Sequence, residues 1–215
     1  MVEVLRDNLG ALWGGVVTTL EITAMAFVGA VVVGVLVAVF RVSPIPPLRA
    51  LGAVYVELFR NVPLLSLLIL TAYGLPYLGV DLSLFTTAVV CLLLVSASFT
   101  CEAVRAGING VPVGQAEAAR AIGMTFTQSL AGVILPQALR TMVQPLVNIF
   151  IGVVLGSSMA AAVAVPELTY TAQQIGNETA ESMLMFVISA IVYIVIALLG
   201  GATGSVLERR LAVRR

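Results

Sequence analysis

The sequence contains no histidine and no lysine, and only 10% of its 215 residues are charged. All eleven basic residues are therefore arginines. Without an imidazole, the chain cannot use histidine for metal ligation, general-base catalysis or a proton relay. Because the formal net charge is zero, the composition gives no indication of a nucleic-acid partner. We expect no metal site, no cofactor and no catalytic centre in this chain.

Cysteine is also scarce, with Cys91 and Cys101 ten residues apart in one apolar run. On a single helix they would lie ~15 Å apart along the axis. That separation is beyond the reach of a disulfide. We therefore expect two small buried hydrophobic side chains.

Hydrophobic residues, by contrast, make up 60% of the chain, and the mean hydropathy is +1.10. Both values lie far outside the range of soluble domains. The composition predicts an all-α integral membrane protein with residues 1–215 in a single domain. The first apolar run has no positive cluster at its start and continues to Phe40, so we expect a retained span rather than a signal peptide.

Charged residues divide the chain into apolar runs of about 20 residues, the length that crosses a ~30 Å hydrocarbon core. The five predicted spans are 16–40, 61–80, 82–102, 140–164 and 183–206. An odd number of spans places the two termini on opposite sides. Ten arginines then share the side of the C-terminus, and only Arg6 lies on the other side. The positive-inside rule predicts an external N-terminus and a cytoplasmic C-terminus, with Glu167 in an external loop.

The segment 105–132, between the third and fourth spans, is neither apolar enough to span nor polar enough to be disordered. Pro112 is predicted to open an alanine-rich helix, and Gly123 to end it. Thr125-Phe126-Thr127-Gln128 has the spacing of a capping box, which predicts a second helix. An alanine-rich helix suits docking in a groove of another protein, and a plain interfacial connector is the alternative.

The spacing of residues in this segment resembles that of a known family. Glu117-Ala118-Ala119, three residues, Gly123, nine residues and Val133-Ile134-Leu135-Pro136 resemble the EAA motif of ABC-importer permeases. Val133 stands where the family usually has isoleucine. The stretches that resemble the subgroup importing polar amino acids are Glu102-x-x-Arg105-x-Gly107-Ile108, Gly114-Gln115, Arg60-Asn61-x-Pro63-Leu64 and Pro136-Gln137-Ala138 with Pro145 and Asn148. Phe40-Arg41-Val42-Ser43-Pro44 and the tail 207–215 look most similar to actinobacterial glutamate-uptake permeases.

The resemblance implies a permease in the bacterial plasma membrane that carries a glutamate- or glutamine-type amino acid. An external solute-binding protein would deliver the substrate. The chain has no glycine-rich phosphate loop, so ATP hydrolysis is expected on a separate cytosolic ATPase dimer. A second permease subunit is expected to complete the path, in a heterodimer in preference to a homodimer. The implied ATPase-coupling residues are Gln115, Glu117, Ala118, Ala119, Arg120 and Gly123.

The fourth span carries the polar side chains that best fit a substrate pathway: Gln144, Asn148, Ser157 and Ser158. Polar groups inside a membrane are costly unless they face a cavity or a partner. Hydrogen bonding between spans is an equal alternative. In the resembled subgroup a lysine commonly stands where this chain has Leu155. The charged substrate contact is then expected on the partner permease, or selectivity rests with the solute-binding protein.

Two pairs of opposite charge sit three residues apart, Glu57 with Arg60 and Glu102 with Arg105. We expect both to be interfacial ion pairs that orient their segments. Pairs of this kind are worth about 0–1 kcal/mol.

Two other functional classes remain open from the residues alone. A transporter that works without an ATPase usually shows internal repeats and ionisable groups near the membrane centre. Neither feature is visible in this sequence. A structural membrane subunit of some complex would fit the topology equally well, and only the EAA-like pattern argues against it.

Overall fold

The computed structural model describes residues 2–211, which are almost entirely helical and contain no strand. Residues 212–215 lie outside the described part. They include the end of the tail and two of the arginines used to predict orientation, Arg214 and Arg215. The nine α-helices are α1 (Val2–Val42), α2 (Pro46–Asn61), α3 (Leu64–Ile69), α4 (Leu84–Asn109), α5 (Val113–Ala121), α6 (Phe126–Ser129), α7 (Leu135–Ser157), α8 (Leu168–Thr179) and α9 (Ser182–Leu211). Wide π-type turns follow α3 and α6, and tight 3₁₀ turns cover Leu75–Leu78 and Ser158–Val163.

Four continuous helical stretches are long and apolar enough to cross a membrane: Glu3–Val42, Leu84–Asn109, Phe126–Val163 and Ser182–Arg210. A fifth candidate is broken, since Pro46–Asn61 and Leu64–Leu78 meet at an angle of 101°. The described chain therefore has four spans by length and composition, or five if the bent pair counts as one. The prediction of a helical membrane protein is confirmed at this level.

The helices differ from the predicted spans in several bounds. The first extends well before residue 16, and α4 continues to Asn109, so that Arg105 lies within it. Helix α2 lies outside the predicted spans except for its last residue, Asn61. It starts at a proline pair and buries Gly52 and Val56. It ends because Pro63 lacks an N–H and disfavours helical geometry at the preceding residue. Val62 is accordingly extended.

Helices α1 and α4 pack closely against each other. A Cβ on Gly34 would lie 2.5 Å from the Thr100 Cβ and 2.8 Å from the Ala97 carbonyl oxygen. Small residues of this kind let membrane helices approach each other. The core beside this contact contains Val37, Cys101 and Met142, which come from α1, α4 and α7.

The region after α7 departs most from expectation. It is predicted as an external loop, but it forms α8, which buries Leu168, Ala172 and Ile175. Glu167, at its start, is 0% exposed rather than solvated. The error arises because charge alone suggested a loop, whereas the carboxylate caps a helix that is folded back into the bundle.

We predict that Gly34→Ala lowers thermal stability in detergent by about 1–3 kcal/mol, because the added methyl overpacks the α1–α4 contact. Gly14→Ala is the matched control on the same helix, since nothing lies within 4 Å of its added Cβ. Thermal melting of the purified variants checks the prediction. Equal melting temperatures for the two variants would contradict it.

Candidate functional site

Helix α5 and the turn after it have the local geometry that the sequence predicts. Gly123 has a φ of +81°, in the left-handed region that favours glycine. The Met124 amide donates to the Ala119 carbonyl over 3.1 Å, and the Gly123 amide donates to the Arg120 carbonyl over 3.0 Å. These two bonds form a Schellman motif, which satisfies the carbonyls at the end of α5.

Helix α6 begins with the predicted capping box. The Gln128 amide donates to Thr125 Oγ1 over 3.3 Å, and the Thr125 amide donates to Gln128 Oε1 over 2.9 Å. A wide turn then leads into α7, so the helical stretch is continuous from Phe126 to Val163. The Gln137 side chain lies 3.5 Å from Gln115 Oε1 and connects α7 back to α5.

The α5 surface presents polar and apolar side chains together. Ala119 is buried against the rest of the chain. The other candidate coupling residues are exposed: Gln115, Glu117, Ala118, Arg120 and Gly123. Large exposed hydrophobic side chains flank them, namely Val113, Ile122 and Phe126. We call this exposed set, from Val113 to Phe126, the α5 surface. Large apolar side chains that are exposed together, with polar side chains beside them, are found on surfaces that contact other proteins or the membrane.

The two predicted ion pairs have different outcomes. Arg105 Nη1 lies 2.9 Å from Glu102 Oε1, and Arg41 Nη2 lies 3.7 Å from the same oxygen. Glu102 therefore joins the ends of α1 and α4, a long-range contact that spacing alone cannot show. Glu57 and Arg60 do not form the predicted pair.

Each member of that second pair has another neighbour. The side-chain amide of Asn61 donates to the backbone carbonyl of Glu57 over 2.7 Å and lies 3.4 Å from the Glu57 carboxylate. The Arg60 guanidinium lies instead over the ring of Phe99 on α4, with its carbon 5.7 Å from the ring centroid. The prediction failed because it considered only partners on the same helix.

The four candidate pathway residues do not form one site. Gln144 Nε2 and Asn148 Oδ1 are 3.5 Å apart on one exposed face of α7. Gln144 lines a cavity of about 580 Å³ beside α9, whereas Asn148 lines one of about 360 Å³ between α3, α4 and α7. Ser157 is fully buried and donates to the Val154 carbonyl over 2.7 Å, so it lines neither cavity.

Ser158 lines a third cavity, of about 660 Å³, whose opposite wall is α8. The α8 residues there are Tyr170, Gln173, Gln174 and Asn177. The side-chain amide of Gln174 donates to the Tyr170 hydroxyl over 2.7 Å. None of the side chains lining this cavity is charged. The sequence analysis missed this wall, although the spacing i, i+3, i+4 and i+7 places the four on one helical face.

The position of α8 depends on the buried carboxylate of Glu167. It accepts hydrogen bonds from the Tyr193 hydroxyl (2.5 Å) and from the Thr169 and Tyr170 amides (2.9 and 2.8 Å). Burial raises the pKa of this carboxyl, and those hydrogen bonds oppose the shift. Thr19 on α1 accepts from the Leu168 amide over 3.2 Å. Helix α8 is thus bound to both α1 and α9.

We predict that Tyr193→Phe destabilises the fold by about 1.5–3 kcal/mol, because the Glu167 carboxylate loses a buried hydrogen-bond donor. Tyr77→Phe makes the same chemical change at a side chain that is 92% exposed and serves as the control. Thermal unfolding in detergent measures both. A Tyr193→Phe protein as stable as the control would show that this bond contributes little.

The architecture defines the class of protein. Apolar helices form a bundle long enough to cross a membrane, and a short helix between two of them is exposed on most of its surface. The chain belongs to the family of binding-protein-dependent transport system inner membrane components, whose model matches residues 30–213. Members of this family are permease subunits of ABC importers. The chain is accordingly an inner-membrane permease and not an enzyme, and ATP hydrolysis belongs to a separate ATPase subunit.

Individual relatives agree with this assignment over nearly the whole chain. The probable glutamine ABC transporter permease protein GlnM of Bacillus subtilis is 37% identical, covering 98% of this chain and 97% of that protein. The glutamate transport system permease protein GluC of Corynebacterium glutamicum is 31% identical, covering 96% and 95%. The crystal structure of an amino acid ABC transporter with histidines gives a TM-score of 0.91 at 32% identity, covering 96% of each chain. The MetNI methionine ABC transporter gives 0.73 at 25% identity, covering 95% and 96%.

Proposed function

We propose that this chain is the permease subunit of an ATP-driven importer of polar amino acids of the glutamate or glutamine type. An external solute-binding protein delivers the substrate, and a cytosolic ATPase dimer drives its passage. The names of the relatives support the substrate class. The α5 surface carries the proposal, because its exposed apolar residues around Glu117 and Arg120 fit a groove on another protein.

The connections of α5 suggest how it would act. The Schellman turn couples α5 to α6, and Gln115 contacts Gln137 on α7. From Phe126 the chain is helical as far as Val163, beside the Ser158 cavity. Movement of α5 by the ATPase is thereby transmitted along α7 to the polar cavity at its other end.

The distribution of charge supports an external N-terminus and a cytoplasmic C-terminus with five spans. Arg41 and Arg105 lie towards the ends of α1 and α4 from which the chain continues to α2 and α5. Arg209 and Arg210 lie in the last turn of α9. By the positive-inside rule these ends, and α5 with them, face the cytoplasm. The α5 helix then lies where an ATPase can reach it.

The second permease subunit is proposed to be a different chain. Two glutamine permease proteins of Bacillus subtilis, GlnM and GlnP, both match, at 37% and 33% identity. Such a pair is consistent with a heterodimer, with a homodimer as the alternative. Ser158 and the polar face of α8, together with Asn148, would contribute this subunit's share of the path.

Co-purification with the cognate ATPase tests the coupling role. Glu117→Arg is expected to abolish the complex, or to leave ATP hydrolysis without uptake, because it reverses the charge at the centre of the α5 surface. Asp81→Arg, at an exposed acid before the opposite end of α4, is the control and should retain both activities. If wild type binds no ATPase, or if the reversal changes nothing, a structural subunit or an ATPase-independent transporter becomes the better assignment.

Uptake by variants of two adjacent serines tests the proposed pathway. Ser158→Ala is expected to lower the uptake rate about two- to tenfold, as loss of one hydrogen bond to a polar substrate predicts. Ser157→Ala removes the same group from a buried position and should leave uptake unchanged. Both serines donate to a backbone carbonyl of α7, so each variant loses one such hydrogen bond. Similar rates for the two variants would remove Ser158 from the path.

A further inference from the structure

Arg60 carries a positive charge that no carboxylate balances within the described part of the chain. The salt bridges found among residues 2–211 involve Arg41 and Arg105, both with Glu102. The described arginine side chains that donate hydrogen bonds are those of Arg105 and Arg120. Arg60 is held instead by the Phe99 ring, 5.7 Å from its guanidinium carbon. A cation over an aromatic face at this distance is attracted to the ring.

The location of Arg60 is inside the charged boundary of the bundle. Phe99 precedes Glu102 on α4 by three residues, about 4.5 Å along the helix axis. Helix α2 starts near Arg41, against which Gly52 packs. It then lies across the same end of α4, where the Tyr55 hydroxyl donates to the Leu94 carbonyl over 2.8 Å. Arg60 is exposed on the surface of the single chain. An ionisable side chain near the membrane that has no carboxylate partner is expected to face a polar pathway or a cavity rather than lipid.

A cavity adjoins this arginine. Phe99, which Arg60 covers, also lines the cavity of about 360 Å³ that holds Asn148. Ser96 is the other polar side chain in that lining, and the remaining side chains are Leu64, Leu92, Val95 and Ile149 beside Gly152. Its volume lies within the range of small-molecule sites, which combine apolar walls with a few polar groups.

The guanidinium has the chemistry to bind a carboxylate here. Its five N–H donors lie in one plane and match the two oxygens of a carboxylate. No hydrogen bond from the Arg60 side chain occurs within the described part of the chain, so its donors are available for a ligand. On α7, Leu155 supplies no charge to the face that carries Asn148, from which it is separated by two turns. Arg60 is not among the residues that line this cavity and adjoins it through Phe99, so the positive charge beside the cavity comes from α2.

We propose that Arg60 is a substrate-binding residue, which holds the α-carboxylate of the transported amino acid while Asn148 contacts its polar groups. The inference rests on the proposed function in amino acid import. It places a charged contact in this subunit, rather than only in the partner permease or the solute-binding protein.

Uptake into proteoliposomes containing the complete importer tests the role, at a saturating concentration of solute-binding protein. Arg60→Gln is expected to lower the uptake rate at least tenfold, with basal ATP hydrolysis unchanged. Arg60→Lys keeps the charge without the planar fork and should retain an intermediate rate. Arg49→Gln is the matched control, because Arg49 is an exposed arginine in the first turns of the same helix.

Binding to the permease–ATPase complex in nanodiscs, without the solute-binding protein, identifies the group that Arg60 holds. The thermal shift caused by glutamine is compared with that caused by glutamine α-amide, which lacks the carboxylate. Arg60→Gln should weaken the response to glutamine at least tenfold and leave the response to the α-amide unchanged. Nanodiscs with and without anionic lipid separate this role from the binding of a lipid phosphate.

The outcomes are distinct. Unchanged uptake by Arg60→Gln overturns the inference and leaves the proposed function intact. Equal loss of the responses to glutamine and its α-amide, or an effect that appears only with anionic lipid, also overturns it. If the Arg60→Gln importer fails to assemble, the uptake rate of Arg60→Lys is the test. An intermediate rate supports the inference, and a rate equal to that of wild type overturns it. A wild-type importer that takes up no amino acid overturns the proposed function and the inference together.

Discussion

The arrangement of the bundle depends on one buried carboxylate. Glu167 has no exposed surface, and its oxygens accept hydrogen bonds from two amides of α8 and from Tyr193 on α9. A buried charge is costly unless it is fully hydrogen-bonded, so the surrounding groups have little freedom to move away. The adjoining bond from Leu168 to Thr19 extends the constraint to α1. The polar face of α8 is consequently held opposite Ser158.

This constraint gives the two ends of the molecule different mechanical roles. At one end α8 is packed and hydrogen-bonded to its neighbours, whereas α5 at the other end is exposed on most of its surface. The continuous helical stretch Phe126–Val163 lies between them. A continuous helical stretch between a hydrogen-bonded cavity wall and the exposed α5 surface suits a protein whose ATP hydrolysis takes place on another chain. Proteins of this kind move by repacking a few discrete contacts, since packed cores do not deform continuously.

The features that the sequence predicts correctly are local or compositional. Gly123 and the Thr125–Gln128 box define their turns through neighbouring residues, and the apolar runs are visible in composition. The incorrect predictions concern residues whose partners lie far along the chain. Glu167 resembles a loop acid until Tyr193 is placed beside it, and Arg60 resembles half of an ion pair until α4 brings Phe99 to it. Helix α2 was not predicted because charged residues were used to mark the ends of spans, and α2 carries Arg49, Glu57 and Arg60.

The arginines illustrate why charge pattern alone indicates topology better than function. Arg41 and Arg105 share Glu102, so their charges are neutralised locally and serve to fix helix ends. Arg60 on α2 has the same side chain, and its partner Phe99 lies only about one helical turn before Glu102 on α4, but an aromatic ring leaves its charge in place. A neutralised arginine has little affinity left for a substrate carboxylate, whereas one held by a ring keeps both its orientation and its donors. The choice of partner, carboxylate or ring, thus separates a structural cation from one able to act on a passing substrate.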